Sequence, residues 1–145
     1  MNILSWTIFT PLAGAIAILF VPKENRRAIQ GIGLGAAAVS FLVSLRLLAG
    51  FDTADTAVGM QFVEQWDWIS SFHVQYYLGV DGLSVPLVLL TTLLTLVSLI
   101  FSLNIEERTK EYWFWFLVLD VGMLGVFCAL DLILFYVFWE ICLVP

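Results

Sequence analysis

The chain has 145 residues, of which 61% are hydrophobic and 12% charged, and its formal net charge is −6. That apolar share exceeds the roughly 45–50% of soluble domains and identifies a membrane protein. Six Lys and Arg in all are too few for the basic patch that nucleic acid requires, which excludes such a partner.

Six Trp, four Tyr and twelve Phe suit a chain whose helix ends lie in the interfaces of a lipid bilayer. Ile3 to Val21 is an apolar run interrupted only by Ser5, Thr7, Thr10 and Pro11, close to the about 20 residues that span a bilayer as helix. No Lys or Arg precedes it and Lys23, Arg26 and Arg27 follow it, the reverse of a secretory leader, so it is read as structure. Ala28 to Ala49 is the second expected span, with Arg46 near enough to its end to extend its head group outward. Gly31 and Gly35 in it form a GxxxG step, read as packing with no particular partner.

Gly50 to Gly79 is a long polar loop that carries Asp52, Asp55, Glu64 and Asp67 without a Lys or Arg. Phe72, Val74, Tyr76 and Leu78 alternate with His73, Gln75 and Tyr77, a period of two, and Met60, Phe62 and Trp66 give a weaker match before Ser70 and Ser71. A β-hairpin on the membrane surface is expected, with His73 a surface residue of a strand, since no second ligand stands at metal spacing. The third span is expected over 81–103, capped by Asp81 or Ser84, with Pro86 in its first turn and Thr91, Thr92, Thr95 and Ser98 returning hydrogen bonds to the helix or a neighbour. The fourth is expected over 112–130, entered through an aromatic belt from Tyr112 to Phe116, and it contains Asp120, with Gly122 and Gly125 on a thinner face. Cys128 and Cys142 lie in apolar runs and are read as packing residues. The fifth span is expected over 131–145, capped by Asp131 and truncated after Pro145. The fold class is thus an all-α polytopic membrane protein of about five transmembrane helices with a short outer hairpin.

Lys and Arg lie in the loops around Pro22–Arg27 and Asn104–Glu111 and are absent from Gly50–Gly79, so the first two face the cytoplasm and the amino terminus is outside. Glu140 then lies nine residues into the fifth helix, about 13–14 Å deep in a hydrocarbon core of about 30 Å. An intramembrane acid is a functional candidate by default. Low dielectric disfavours its charged form and a nearby Lys or Arg restores it, so Glu140 becomes a two-state proton site when its partner moves. Tyr136, one turn earlier, can donate a hydrogen bond to it, whereas the basic residues of this chain lie in loops or near a span end. Asp120 has two open readings: it shares a hydrated path with Glu140, or it bonds to a neighbouring helix. Neither clustered Cys nor paired His is present to bind a flavin, haem or iron–sulfur group, so no cofactor is expected in the chain itself.

Tyr76 to Thr95, YYLGVDGLSVPLVLLTTLLT, and Phe135 to Pro145, FYVFWEICLVP, resemble the antiporter-like subunits of NADH:quinone oxidoreductase, respiratory complex I, of the type that includes bacterial subunit M and mitochondrial subunit 4. The resemblance covers the whole chain. It implies that Glu140 is the glutamate of the fifth helix in the first of two five-helix half-channels, paired in the family with a lysine two helices later and engaged in redox-driven proton pumping. It also implies an outer hairpin that touches neighbouring antiporter-like subunits, a bacterial inner-membrane location, and FMN, iron–sulfur clusters and quinone held by other subunits. Family members carry about fourteen helices, so the chain is expected to be an amino-terminal fragment that does not pump alone. A subunit of a multi-subunit sodium/proton antiporter and a fragment that only packs helices remain as alternatives.

Overall fold

The computed structural model describes residues 2–54 and 59–145; Asp55, counted above among the loop acids, lies outside them. Five helices and one hairpin follow in order: α1 (Ile3–Phe20), α2 (Arg26–Gly50), β1 (Gln61–Ile69), β2 (Val74–Val80), α3 (Ser84–Phe101), α4 (Thr109–Cys128) and α5 (Leu132–Leu143). The first four helices are long and apolar enough to cross a membrane, and α5 is a shorter apolar helix.

Pro11 stands inside α1, where its missing N–H leaves the carbonyl of Thr7 without its helical donor. Ser40 of α2 supplies one: its Oγ donates to the Thr7 oxygen at 2.9 Å, so the α1 proline and the α2 serine form one joint. Side-chain caps set the starts of α2, α3 and α5. Asp81 Oδ1 accepts from the backbone N–H of Leu83 at 3.0 Å and of Ser84 at 2.7 Å, and Asp131 Oδ1 accepts from Ile133 at 2.9 Å and Leu134 at 3.0 Å. Both acids perform the capping expected of them. At the opposite end, α2 opens on Asn25, whose side chain accepts from the Ala28 N–H.

The hairpin forms as an antiparallel pair, with Glu64 opposite Leu78, Trp66 opposite Tyr76 and Ile69 opposite Val74. Its turn differs from the expected one. Ser70–Phe72 make a short 3-10 helix, His73 follows it with φ 55 and is exposed, and Phe72 is exposed as well, so neither belongs to a strand. Nor does the hairpin merely lie on a surface. Val74, Leu78 and Val80 are buried, and β2 is extended by the α4–α5 connection, where the Leu130 N–H donates to the Tyr77 carbonyl at 2.8 Å and Ala129 pairs with Leu78.

The small residues of α2 divide between two faces, and one aromatic expectation is corrected. Gly31 and Gly35 have open space where a Cβ would stand, whereas Gly33 lies against the indole of Trp113. Helical geometry explains the shift: Gly33 is on the α2 face turned toward α4, and the GxxxG step faces away from the bundle. The residue it meets, expected in an interfacial belt, is fully buried; Trp115 of the same run is exposed.

Apolar residues gather in two clusters rather than one. Leu4, Ile8, Leu47, Val88, Val121 and Leu124 belong to the cluster on the hairpin side, and Ala15, Ile18, Ile29, Ala37, Leu99, Trp113 and Leu117 form the other. On each of α2, α3 and α4 the buried residues between the clusters are polar: Ser40 and Ser44, then Thr91, Thr92 and Thr95, then Asp120.

Candidate functional site

Asp120 is completely enclosed, between Leu117 of one apolar cluster and Val121 of the other. Thr95 of α3 donates its hydroxyl to Oδ1 at 2.8 Å, and Oδ2 has no hydrogen-bond partner. A carboxylate offers about four acceptor positions, so most of this group's capacity is unused in a medium where that is costly. Also buried between the two apolar clusters, Ser44 Oγ and Thr92 Oγ1 are 2.9 Å apart, and the Thr92 hydroxyl donates to the Leu89 carbonyl. The reading in which Asp120 bonds to a neighbouring helix therefore describes one of its oxygens and leaves the other free.

Glu140 occupies the opposite kind of place. It and Tyr136 lie on the exposed face of α5, while Leu134 and Phe138 bury the inner face. Packing fixes its level against α4: a Cβ at Gly122 would meet Cys142 and Ile141, and one at Gly125 would meet Phe138. Reading along that register puts Glu140 at the level of Met123 and Leu124, and Asp120 at the level of Leu143 and Val144. The two acids thus differ by about 5 Å along the bundle at 1.5 Å per residue, and they face different surroundings. No ion pair among the described residues involves either.

A third acid, within the polar loop by sequence, joins the hairpin to the bundle. Glu64 of β1 is 1% exposed and reaches the start of α1, where Oε1 accepts from the N–H groups of Leu4 at 3.0 Å and Ser5 at 3.2 Å and Oε2 accepts from the Ser5 hydroxyl. The first N–H groups of a helix lack internal partners and carry partial positive charge, so a carboxylate there both caps and neutralises. Ser5 Oγ lies 2.8 Å from the Tyr76 hydroxyl, which joins both strands to α1. Burial is the main influence raising the Tyr76 phenol above its ordinary pKa; the Ser5 hydrogen bond opposes the shift and the Glu64 charge adds to it. The signal available in the sequence was a lone acid at an inward position of an otherwise half-apolar strand.

At the other end the two basic loops are tied together. Lys110 donates its ammonium to the carbonyls of Leu19 and Val21, each at 2.8 Å, and Arg26 donates to the Leu103 carbonyl at 2.7 Å and pairs with Glu106 at 3.3 Å. Cations there meet the unpaired carbonyls and negative ends of α1 and α3. Among the described residues no group of three or more His, Cys, Asp or Glu side chains gathers in a way that could hold a metal ion.

Comparison with known proteins identifies relatives of this arrangement. NADH-quinone oxidoreductase subunit M of Rhodobacter capsulatus is 48% identical over 99% of the chain, and NADH-ubiquinone oxidoreductase chain 4 of Arabidopsis thaliana is 41% identical over 98%. Over nearly its whole length the chain is homologous to the subunit M and chain 4 family. It spans about 28% of the length of either relative. No protein-family profile matches it. Among solved structures, a chain of respiratory complex I from Thermus thermophilus with bound NADH superposes with a TM-score of 0.77 at 25% identity, covering 99% of this chain and 27% of that one. A chain of an archaeal membrane-bound sulfane sulfur reductase gives the same TM-score at 18% identity, over 97% of this chain and 21% of that one, and so shares the fold. The subunit M and chain 4 homology agrees with the resemblance carried by Tyr76–Thr95 and Phe135–Pro145.

Proposed function

We propose that the chain is part of a proton-translocating membrane subunit of NADH:quinone oxidoreductase in which Glu140 is the principal proton-handling acid. The single observation that carries this reading is the 48% identity to a subunit M along 99% of the chain. Glu140 adds to it, because an acid eight residues into an apolar helix, on a face that this chain does not cover, calls for surroundings from elsewhere.

In this reading the partner is a lysine from outside these 145 residues, and Tyr136, on the same exposed face, is a local hydrogen-bond donor to the carboxylate. Approach of the cation favours the charged acid and its withdrawal favours the neutral one, so moving the partner loads and unloads a proton. Neighbouring antiporter-like subunits are the partners, and FMN, iron–sulfur clusters and quinone reside in other subunits. The location is the bacterial inner membrane. An outside amino terminus is supported by the gathering of Lys23, Arg26, Arg108 and Lys110 at one end and by the lack of any Lys or Arg in the hairpin loop at the other. The test is Glu140→Gln in the full-length subunit, with proton uptake measured during quinone reduction in membrane vesicles. Severe loss of uptake with the complex still assembled supports the reading; unchanged uptake overturns it and favours a packing role.

A further inference from the structure

Asp120 combines three features that the role of Glu140 does not use: complete burial, one satisfied oxygen and one oxygen with no partner. Among the described residues nothing charged faces it from the packed elements. α1 and α3 contain no ionisable residue. Of the α2 cations, Arg26 and Arg27 stand at its first turn and Arg46 is exposed; Lys110, Glu111 and Tyr112 of α4 lie in its first turn, and Cys128 in its last. In α5, Tyr136 and Glu140 are on the exposed face and Cys142 sits against Gly122, while Tyr76 and Tyr77 belong to the hairpin.

A clasp between α3 and α4 does not need an acid, since an uncharged serine or asparagine would accept the same bond from Thr95. An acid differs in that its second oxygen can take up a proton and remove a charge that nothing here compensates. We propose that Asp120 is a second proton-accepting site, enclosed in the bundle, and that Thr95 is its positioning residue, holding Oδ1 so that Oδ2 exchanges the proton. The proton comes from water and returns to water; the carboxyl passes between singly negative and neutral, and no other bond changes. The Ser44–Thr92 hydroxyl pair, buried like Asp120 between the two apolar clusters, adds polar groups on which a transient water can be held. The inference rests on the proton-translocating reading for its use, but not for its chemistry.

The experiment uses the full-length subunit in the assembled complex, comparing infrared difference spectra between acidic and alkaline pH for the parent, Asp120→Asn, Thr95→Val and Thr95→Ser. The expected result is a carboxyl C=O band that disappears in Asp120→Asn, shifts in frequency and in midpoint pH in Thr95→Val, and is restored by Thr95→Ser. Parent and Asp120→Asn spectra that overlay overturn the proposal. If Asp120→Asn does not assemble, Thr95→Val decides, because a purely structural clasp leaves the carboxyl band and its pH profile in place. Glu140→Gln separates the two claims: loss of pumping with the Asp120 band intact supports both, whereas intact pumping with the band intact removes the reading of Glu140 alone.

Discussion

Replacing Glu64 by Ala tests how the hairpin is held to the bundle. The substitution removes a carboxylate that accepts two backbone N–H groups at the start of α1 and the hydroxyl of Ser5. Hydrogen bonds to charged groups are worth about 1.5–3 kcal/mol each, so the two backbone bonds give about 3–6 kcal/mol. The lower end applies, about 3 kcal/mol, because the freed N–H groups of a first helical turn regain water once the strand lifts away. Glu64→Gln keeps one acceptor oxygen and loses the charge that complements the helix end, a cost of about 1 kcal/mol. Hydrogen exchange at the amides of Leu4 and Ser5 reads this directly: about 3 kcal/mol corresponds to roughly a hundredfold loss of protection where local opening governs exchange. The amides of Trp113 and Leu117, on the far side of the bundle, should keep theirs. Unchanged protection of Leu4 and Ser5 in Glu64→Ala would refute the reasoning.

Three further outcomes are expected. Gly125→Ala drives a Cβ into the ring of Phe138 and should destabilise the α4–α5 contact by about 1–3 kcal/mol, whereas Gly35→Ala enters open space inside a helix and should stabilise by about 0.5–1 kcal/mol; thermal unfolding in detergent compares them. Asp131 is held below the usual carboxylate range, chiefly by the Leu134 N–H, so its capping is fully present above that range and is lost as pH falls through its own lower value. The acid limb of the thermal stability curve should therefore flatten in Asp131→Asn. The Tyr76 phenol is shifted the other way, so the unfolded chain ionises first and the hairpin loses stability as pH rises above the ordinary tyrosine value. Tyrosinate absorbance should show one late-titrating phenol that Tyr76→Phe removes.

Hydropathy made the four long helices legible because each buries its backbone hydrogen bonds internally and needs only an apolar run of sufficient length. Asp81 and Asp131 were legible for the same local reason, since a cap acts on amides two and three residues ahead. Contacts set by the meeting of distant segments were not. Glu64 reaches residues 59 and 60 positions away, so its sequence surroundings give no sign of the helix end it caps. Asp120 stood out as an acid in an apolar span, but its bond to Thr95 depends on how α3 and α4 rotate against each other. The same rotation decides that Gly33 receives Trp113 while Gly31 and Gly35 face outward. The exposure of Glu140 has a related origin, because one face of α5 packs on α4 through Phe138 and Gly125 and leaves the acid on the other.

The central claim concerns the acid on that outer face, and its most direct test is the ratio of protons taken up to electrons passed to quinone in vesicles carrying Glu140→Gln in the full-length subunit. The expected result is a complex that assembles and pumps with a strongly reduced ratio, with Glu140→Asp recovering part of it. A ratio equal to that of the parent would contradict the account.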